Sequence, residues 1–282
     1  MYSYSWIKVW RRYGAMVVGA AIVGSIAFAA VVGPLLWRVD PTALNPSIRL
    51  SPPSRDHPLG VDDMGRDVLS QMFYGVRTSL RVGLGTVALC GLLGATLGLV
   101  SGYVSRVVDG IIMRFFDGLM AFPAILLGLA LMAAWGPSEI NLILALAIVY
   151  TPSVGRLMRS QCLTLREWDY VQAARAIGCS DWRIVVTHIL PGTIGPLCVQ
   201  LTFLFASAML AEAALSFLGI GIPPYLPTLG NIISHGRVHI YRAPWLTIYP
   251  GLAIALLVLG LNLMGDGLRD LVDPTLATES RG

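Results

Sequence analysis

The chain has 282 residues, is 55% hydrophobic and only 13% charged, and carries a formal net charge of +4. A water-soluble domain has roughly 25% charged residues, so these proportions exclude an ordinary soluble core and require lipid as the solvent. Lys8 is the only lysine and follows no glycine loop, which excludes a phosphate-binding P-loop, whose lysine reaches the phosphates.

A spanning helix needs roughly 20 mostly apolar residues. The first such run covers 13–37, behind Lys8, Arg11 and Arg12. It is too long for a signal peptide and has no polar region before a cleavage site. It reads as an uncleaved anchor with a cytoplasmic N-terminus. Residues 38–76 are rich in Pro, Asp and Arg and form an extramembrane segment. Five further runs follow, at about 80–104, 111–135, 140–157, 193–218 and 246–265. Long continuous runs argue for helices rather than barrel strands, which are short and alternate. Six spans put both termini on one side. The basic N-terminus and the cluster Arg156, Arg159, Arg166, Arg175 and Arg183 put that side in the cytoplasm by the positive-inside rule. Glycines such as those in GLLGATLGLVSG suit close helix packing. Cys90, Cys162, Cys179 and Cys198 form no CxxC pair and read as small apolar thiols.

The stretch 159–191, RSQCLTLREWDYVQAARAIGCSDWRIVVTHILP, separates the fourth and fifth spans. It reads as a helix ended by Gly178, then a second helix capped by Ser180 with Asp181 in its first turn. Pro191 stands at the entry to the fifth span. The residues Gln172-Ala173-Ala174, Gly178 and His188-Ile189-Leu190-Pro191 resemble the cytoplasmic EAA motif of ABC importer permeases: EAA, three residues, Gly, nine residues, then I-x-L-P. Gln172 replaces the motif's Glu, and His188 stands where its Ile is usual. The segments 57–83, 210–233 and 262–274 resemble the dipeptide, oligopeptide and nickel permeases in particular. The likeness covers nearly the whole chain and points to the C-type subunit, which has the shorter first loop.

That resemblance implies an all-α membrane protein with six transmembrane helices, the type I ABC importer permease fold, and a cytoplasmic coupling helix between spans four and five. It divides the chain into 1–78 (N-terminal segment, first span and periplasmic loop), a permease core 79–270, and a cytoplasmic tail 271–282. The coupling residues would be Gln172, Ala173, Ala174, Gly178, Asp181, His188, Leu190 and Pro191, with the three small residues allowing close helix approach. The implied partners are a homologous B-type permease, two ABC ATPases that hold ATP and magnesium, and a periplasmic substrate-binding protein. The cargo would be a peptide; a nickel–metallophore, an opine or glutathione is the alternative. A channel or secondary transporter is the reading from another class, and it needs no ATPase-docking loop.

Glu212 lies inside the fifth span, where an acid is costly and marks a function by default. It reads either as a residue of the translocation path or as a structural carboxyl bonded to Ser216. His235 and His239 are four apart, but Gly236 weakens that helix and no third ligand is near in sequence. Asp62, Asp63, Arg66 and Asp67 read as a local ion-pair and capping group. No constellation for catalysis stands out, so the chain is expected to be a non-catalytic subunit.

Overall fold

In the computed structural model the described residues are 3–272, with side chains described from residue 14 onward. The expected basic cluster at Lys8, Arg11 and Arg12 and most of the expected tail 271–282 lie outside the described side chains. Among the described residues the regular structure is helical, and the only β-pairing is one isolated bridge, Val61 to Asp67.

Five long helices, α1 Ser3–Leu36, α2 Val68–Tyr103, α5 Glu139–Leu165, α8 Leu190–Phe217 and α10 Trp245–Val272, carry the bundle, with a short α9, Leu229–Gly236, before the last. All five are long and apolar enough to cross a membrane. They outrun the hydrophobic stretches because their ends stay amphipathic. Met158, Cys162 and Leu165, for example, keep α5 buried on one face past the expected end at 157. Asp67 caps α2 by accepting from Ser70 N at 2.7 Å, so the expected boundary at 78 falls inside a helix rather than between domains.

The third apolar run is not one straight span. It divides into α3, Arg106–Met120, and α4, Ala124–Trp135, bent by 89°. Pro123 breaks it, having no N–H for the helix ladder and disfavouring helical backbone at Phe122. α3 is tied to α5 instead: Arg159 donates to Asp109 through Nη2 at 2.6 Å, and Arg156 to Asp117 at 2.6 Å. Six spans therefore result only if this bent pair counts as one.

The bundle is built around α2, which packs on α5, α8 and α1, while α10 closes against α1 and α8. The α2–α5 seam is made by small residues. Gly94, Gly98 and Gly102 recur every four residues and face Val154, Gly155, Met158 and Cys162. This is the close backbone approach that small residues permit between membrane helices.

Segment 38–67 folds over one end of the bundle, with Leu50 buried among Val68, Ala243 and Leu246. Asp62 and Arg66 form the expected pair at 2.6 Å, and Gln71 also donates to Asp62. Asp67 additionally accepts from Trp37 and lies 2.8 Å from His57 Nδ1. His239 Nε2 sits 3.9 Å from Asp63 Oδ2.

One half-buried charged residue on α2 has a structural explanation. Pro34 has no N–H to give to the Ala30 carbonyl four residues earlier. Arg77 on α2 supplies it, donating Nε to Ala30 O at 2.6 Å and Nη2 to Val31 O at 2.7 Å. Arg77→Leu should cost about 1–3 kcal/mol, the penalty for a buried acceptor left unpaired. Adding Pro34→Ala, which restores an N–H, should recover part of that loss in thermal unfolding of the purified chain. Equal losses with and without Pro34→Ala would remove the explanation.

Candidate functional site

Between α5 and α8 the chain forms a compact hairpin. It comprises α6, Asp169–Ala176, a tight turn, and α7, Asp181–Ile184, which runs through a wide π-helical turn at 185–189 directly into α8. The second helix and the fifth span are thus one path, 181–217, rather than the separate pieces the sequence suggested. The π turn has a cause at Pro191. In a regular helix its ring would press on the Thr187 carbonyl. Widening the turn spares that clash, and Leu190 N donates instead to Val185 O, five residues back.

The hairpin is held to the bundle end by an apolar underside. Val171, Ala174, Ile184 and Ile189 are buried in one cluster with Leu99, Met158, Cys162 and Leu165. Polar ties add direction. Asp181 accepts from the Tyr103 hydroxyl at the end of α2, at 2.8 Å. Arg175 donates to the same hydroxyl at 3.4 Å and lies over its ring. That hydrogen bond holds the Arg175 guanidinium above its ordinary value. Arg166 donates to Gly102 O at 2.9 Å. The hairpin is therefore a stiff projection of α2, α5 and α8.

The sequence-derived coupling residues fall in this hairpin or where it runs into α8, but do different things. Gln172 donates Nε2 to Arg166 O at 2.9 Å, closing the last turn of α5. An ionised Glu could not donate there, so the departure from the motif has a local reason. Ala174 is buried, whereas Ala173 is exposed. Gly178 makes no close approach, since a Cβ there would meet nothing within 4 Å. Its requirement is conformational: φ is +82°, a region that costs other residues roughly 1–2 kcal/mol. With Gly178 N on Arg175 O and Cys179 N on Ala174 O, the turn is a Schellman cap. Ser180 holds the expected N-cap position but makes no side-chain capping bond. His188 stacks on Tyr170, whose hydroxyl donates to the His188 carbonyl at 3.2 Å. Leu190 packs against the hairpin's cluster, and exposed Pro191 opens α8.

Two residues that sequence reasoning passed over stand at the tip. Ile177 and Trp182 are 81% and 77% exposed, on either side of Gly178. Large apolar side chains in an otherwise polar stretch were the available signal. Such residues held on a rigid turn are suited to entering a groove on another protein.

Glu212 and Ser216 lie away from the hairpin, in the core. Glu212 is fully buried. It accepts from Ser79 on α2 at 2.7 Å and from Ser216 at 2.9 Å.

The family model described as binding-protein-dependent transport system inner membrane component matches residues 94–278. The dipeptide transport system permease protein DppC of Alkalihalophilus pseudofirmus is 45% identical over 97% of this chain and 92% of its own. The probable D,D-dipeptide transport system permease protein DdpC of Escherichia coli is 40% identical over 94% and 90%. Among solved structures, a chain from a crystal structure of an amino acid ABC transporter with histidines superposes with a TM-score of 0.54. It is 17% identical and covers 69% of this chain and 91% of that one. At that identity the match speaks for the fold alone.

Proposed function

The chain belongs to the inner membrane components of binding-protein-dependent transport systems, and from that premise we propose that it is the C-type permease of a peptide importer. In this reading it pairs with a homologous B-type permease, and the two enclose the route. Two ABC ATPases, which bind ATP and magnesium, dock from the cytoplasm, where both termini lie. A periplasmic binding protein delivers the peptide. The dipeptide permeases among its relatives support the cargo.

The observation that carries the coupling role is the hairpin. Its tip offers Ile177 and Trp182 to a partner, while its underside and the Tyr103–Asp181 bond tie it to the spans. Movement of a docked ATPase would thus reach α2, α5 and α8 without being absorbed by a loose loop. ATP must bind one state of the ATPases better than the other, since equal binding shifts nothing.

The assembled transporter tests this in two steps. Affinity purification of the chain should bring down the partner permease and both ATPases. Gly178→Leu should then lower ATP-driven peptide uptake by about tenfold or more while the chain still inserts, because the strained turn misplaces the tip. Gly178→Asn, which tolerates positive φ, should retain most of the uptake. Normal uptake by the Leu variant would argue against the hairpin as the point of coupling.

A further inference from the structure

The outer faces of the bundle are chemically unequal. α2 turns Leu84, Leu92 and Val100 outward, and α1 turns Val17, Val31 and Leu35 outward, which is what lipid requires. α5, α8 and α10 also turn apolar side chains outward, Ile140, Leu210 and Leu256 among them, but one strip between them differs. Near the hairpin end these helices converge on an open cleft of about 590 Å³, lined by Gln161, Gln200 and Arg269 around Leu157, Val199 and Phe203.

The polar character continues along the helices. Ser207 lies two turns beyond Gln200 and is exposed, and Tyr150 lies three turns before Gln161. The Tyr150 hydroxyl reaches Ser207 O at 3.4 Å, joining the two rows. Helical periodicity thus puts Gln200, Phe203 and Ser207 on one face of α8, and Tyr150, Leu157 and Gln161 on one face of α5. Gln200 is ten residues into α8, roughly 15 Å at 1.5 Å per residue, which is deep within the span. Among the described residues, the side chains of Gln161, Gln200 and Arg269 have no hydrogen-bonding partner.

An unpartnered carboxamide at that depth, as at Gln200, is costly against hydrocarbon, and in-span polar groups mark routes for polar cargo. We propose that this stripe is the chain's share of the water-filled path taken by the peptide. The Gln161 and Gln200 carboxamides bond to peptide amide groups, and Arg269 draws the carboxylate end at the mouth. The proposal rests on the importer reading above and assigns the residues that reading leaves open.

The test uses the whole transporter in proteoliposomes. Replacing Cys179 and Cys198 with Ala removes the accessible thiols, since Cys90 and Cys162 are buried. Single cysteines are then placed at Gln200→Cys and, on the apolar face, at Leu92→Cys. A charged, membrane-impermeant methanethiosulfonate should label Gln200→Cys at least about tenfold faster than Leu92→Cys, and the label should cut peptide uptake by about tenfold. ATP hydrolysis stimulated by the loaded binding protein should persist. A Gln200 position as inert as Leu92, or one labelled without loss of uptake, overturns the proposal. Failure of ATP to drive peptide uptake by the transporter without substitutions would overturn the importer reading itself, and that control separates the two.

Discussion

Gly98→Val should cost about 3 kcal/mol or more, at the upper end for overpacking, and should lower both the Tm and the monodisperse yield of the purified chain. A Cβ at Gly98 would overlap the Gly155 carbonyl oxygen and come within 2.7 Å of Met158 Cβ. The first obstacle is backbone and cannot swing aside, so α2 and α5 must separate. Separation would also loosen Gly94 from Val154 and Gly102 from Cys162, spreading the loss along the seam. Gly98→Ala should act in the same direction and less strongly. Gly24→Ala is the control, since a Cβ there meets nothing within 4 Å. It should leave stability unchanged or raise it slightly, as Ala does over Gly in a helix. Equal behaviour of the Gly24 and Gly98 variants in detergent unfolding would refute the seam as described.

Glu212→Ala is expected to cost about 2–4 kcal/mol, from a cavity and from two buried hydroxyls that lose their acceptor. Glu212 joins Ser79 on α2 to Ser216 on α8. Ser216 Oγ also accepts from Ile222 N at 3.4 Å, so the carboxyl organises the turn after α8 as well. Glu212→Gln should be milder, about 1 kcal/mol, because the carboxamide keeps the shape and one acceptor. Losses from Ser79→Ala and Glu212→Ala should not add, as the two groups share one bond. Thermal unfolding of the unsubstituted chain, Ser79→Ala, Glu212→Ala and the double variant gives the cycle. We assign Glu212 a structural role on this geometry, so Glu212→Gln should keep uptake within about twofold. A Gln variant that folds normally yet stops transport would overturn that assignment and move the residue to the path.

Much of the architecture was legible before the structure. Residues 13–37, 80–104 and 246–265 announced spans because lipid admits only long apolar helices, and the structure has α1, α2 and α10 there. The hairpin was legible from Gly178, whose positive φ the structure contains, and from the spacing to Pro191. The break at Pro123 was written in the sequence but masked by the apolar run around it, since hydropathy has no direction. Gln172 read as an uncharged replacement for the motif's Glu; its use as a donor to Arg166 O depends on where α5 stops, which no local pattern states. Ile177 and Trp182 stayed hidden because exposure is a property of the folded hairpin.

By itself the sequence determined the solvent, the helical class and the family, since these follow from composition, run length and spacing along one dimension. Only the tertiary structure decided which partners meet across the chain. The pairs Ser79 with Glu212, Arg77 with Ala30 and Asp109 with Arg159 join residues far apart in sequence. Their contact energies fall steeply with distance, so they exist only once helix packing has fixed every angle.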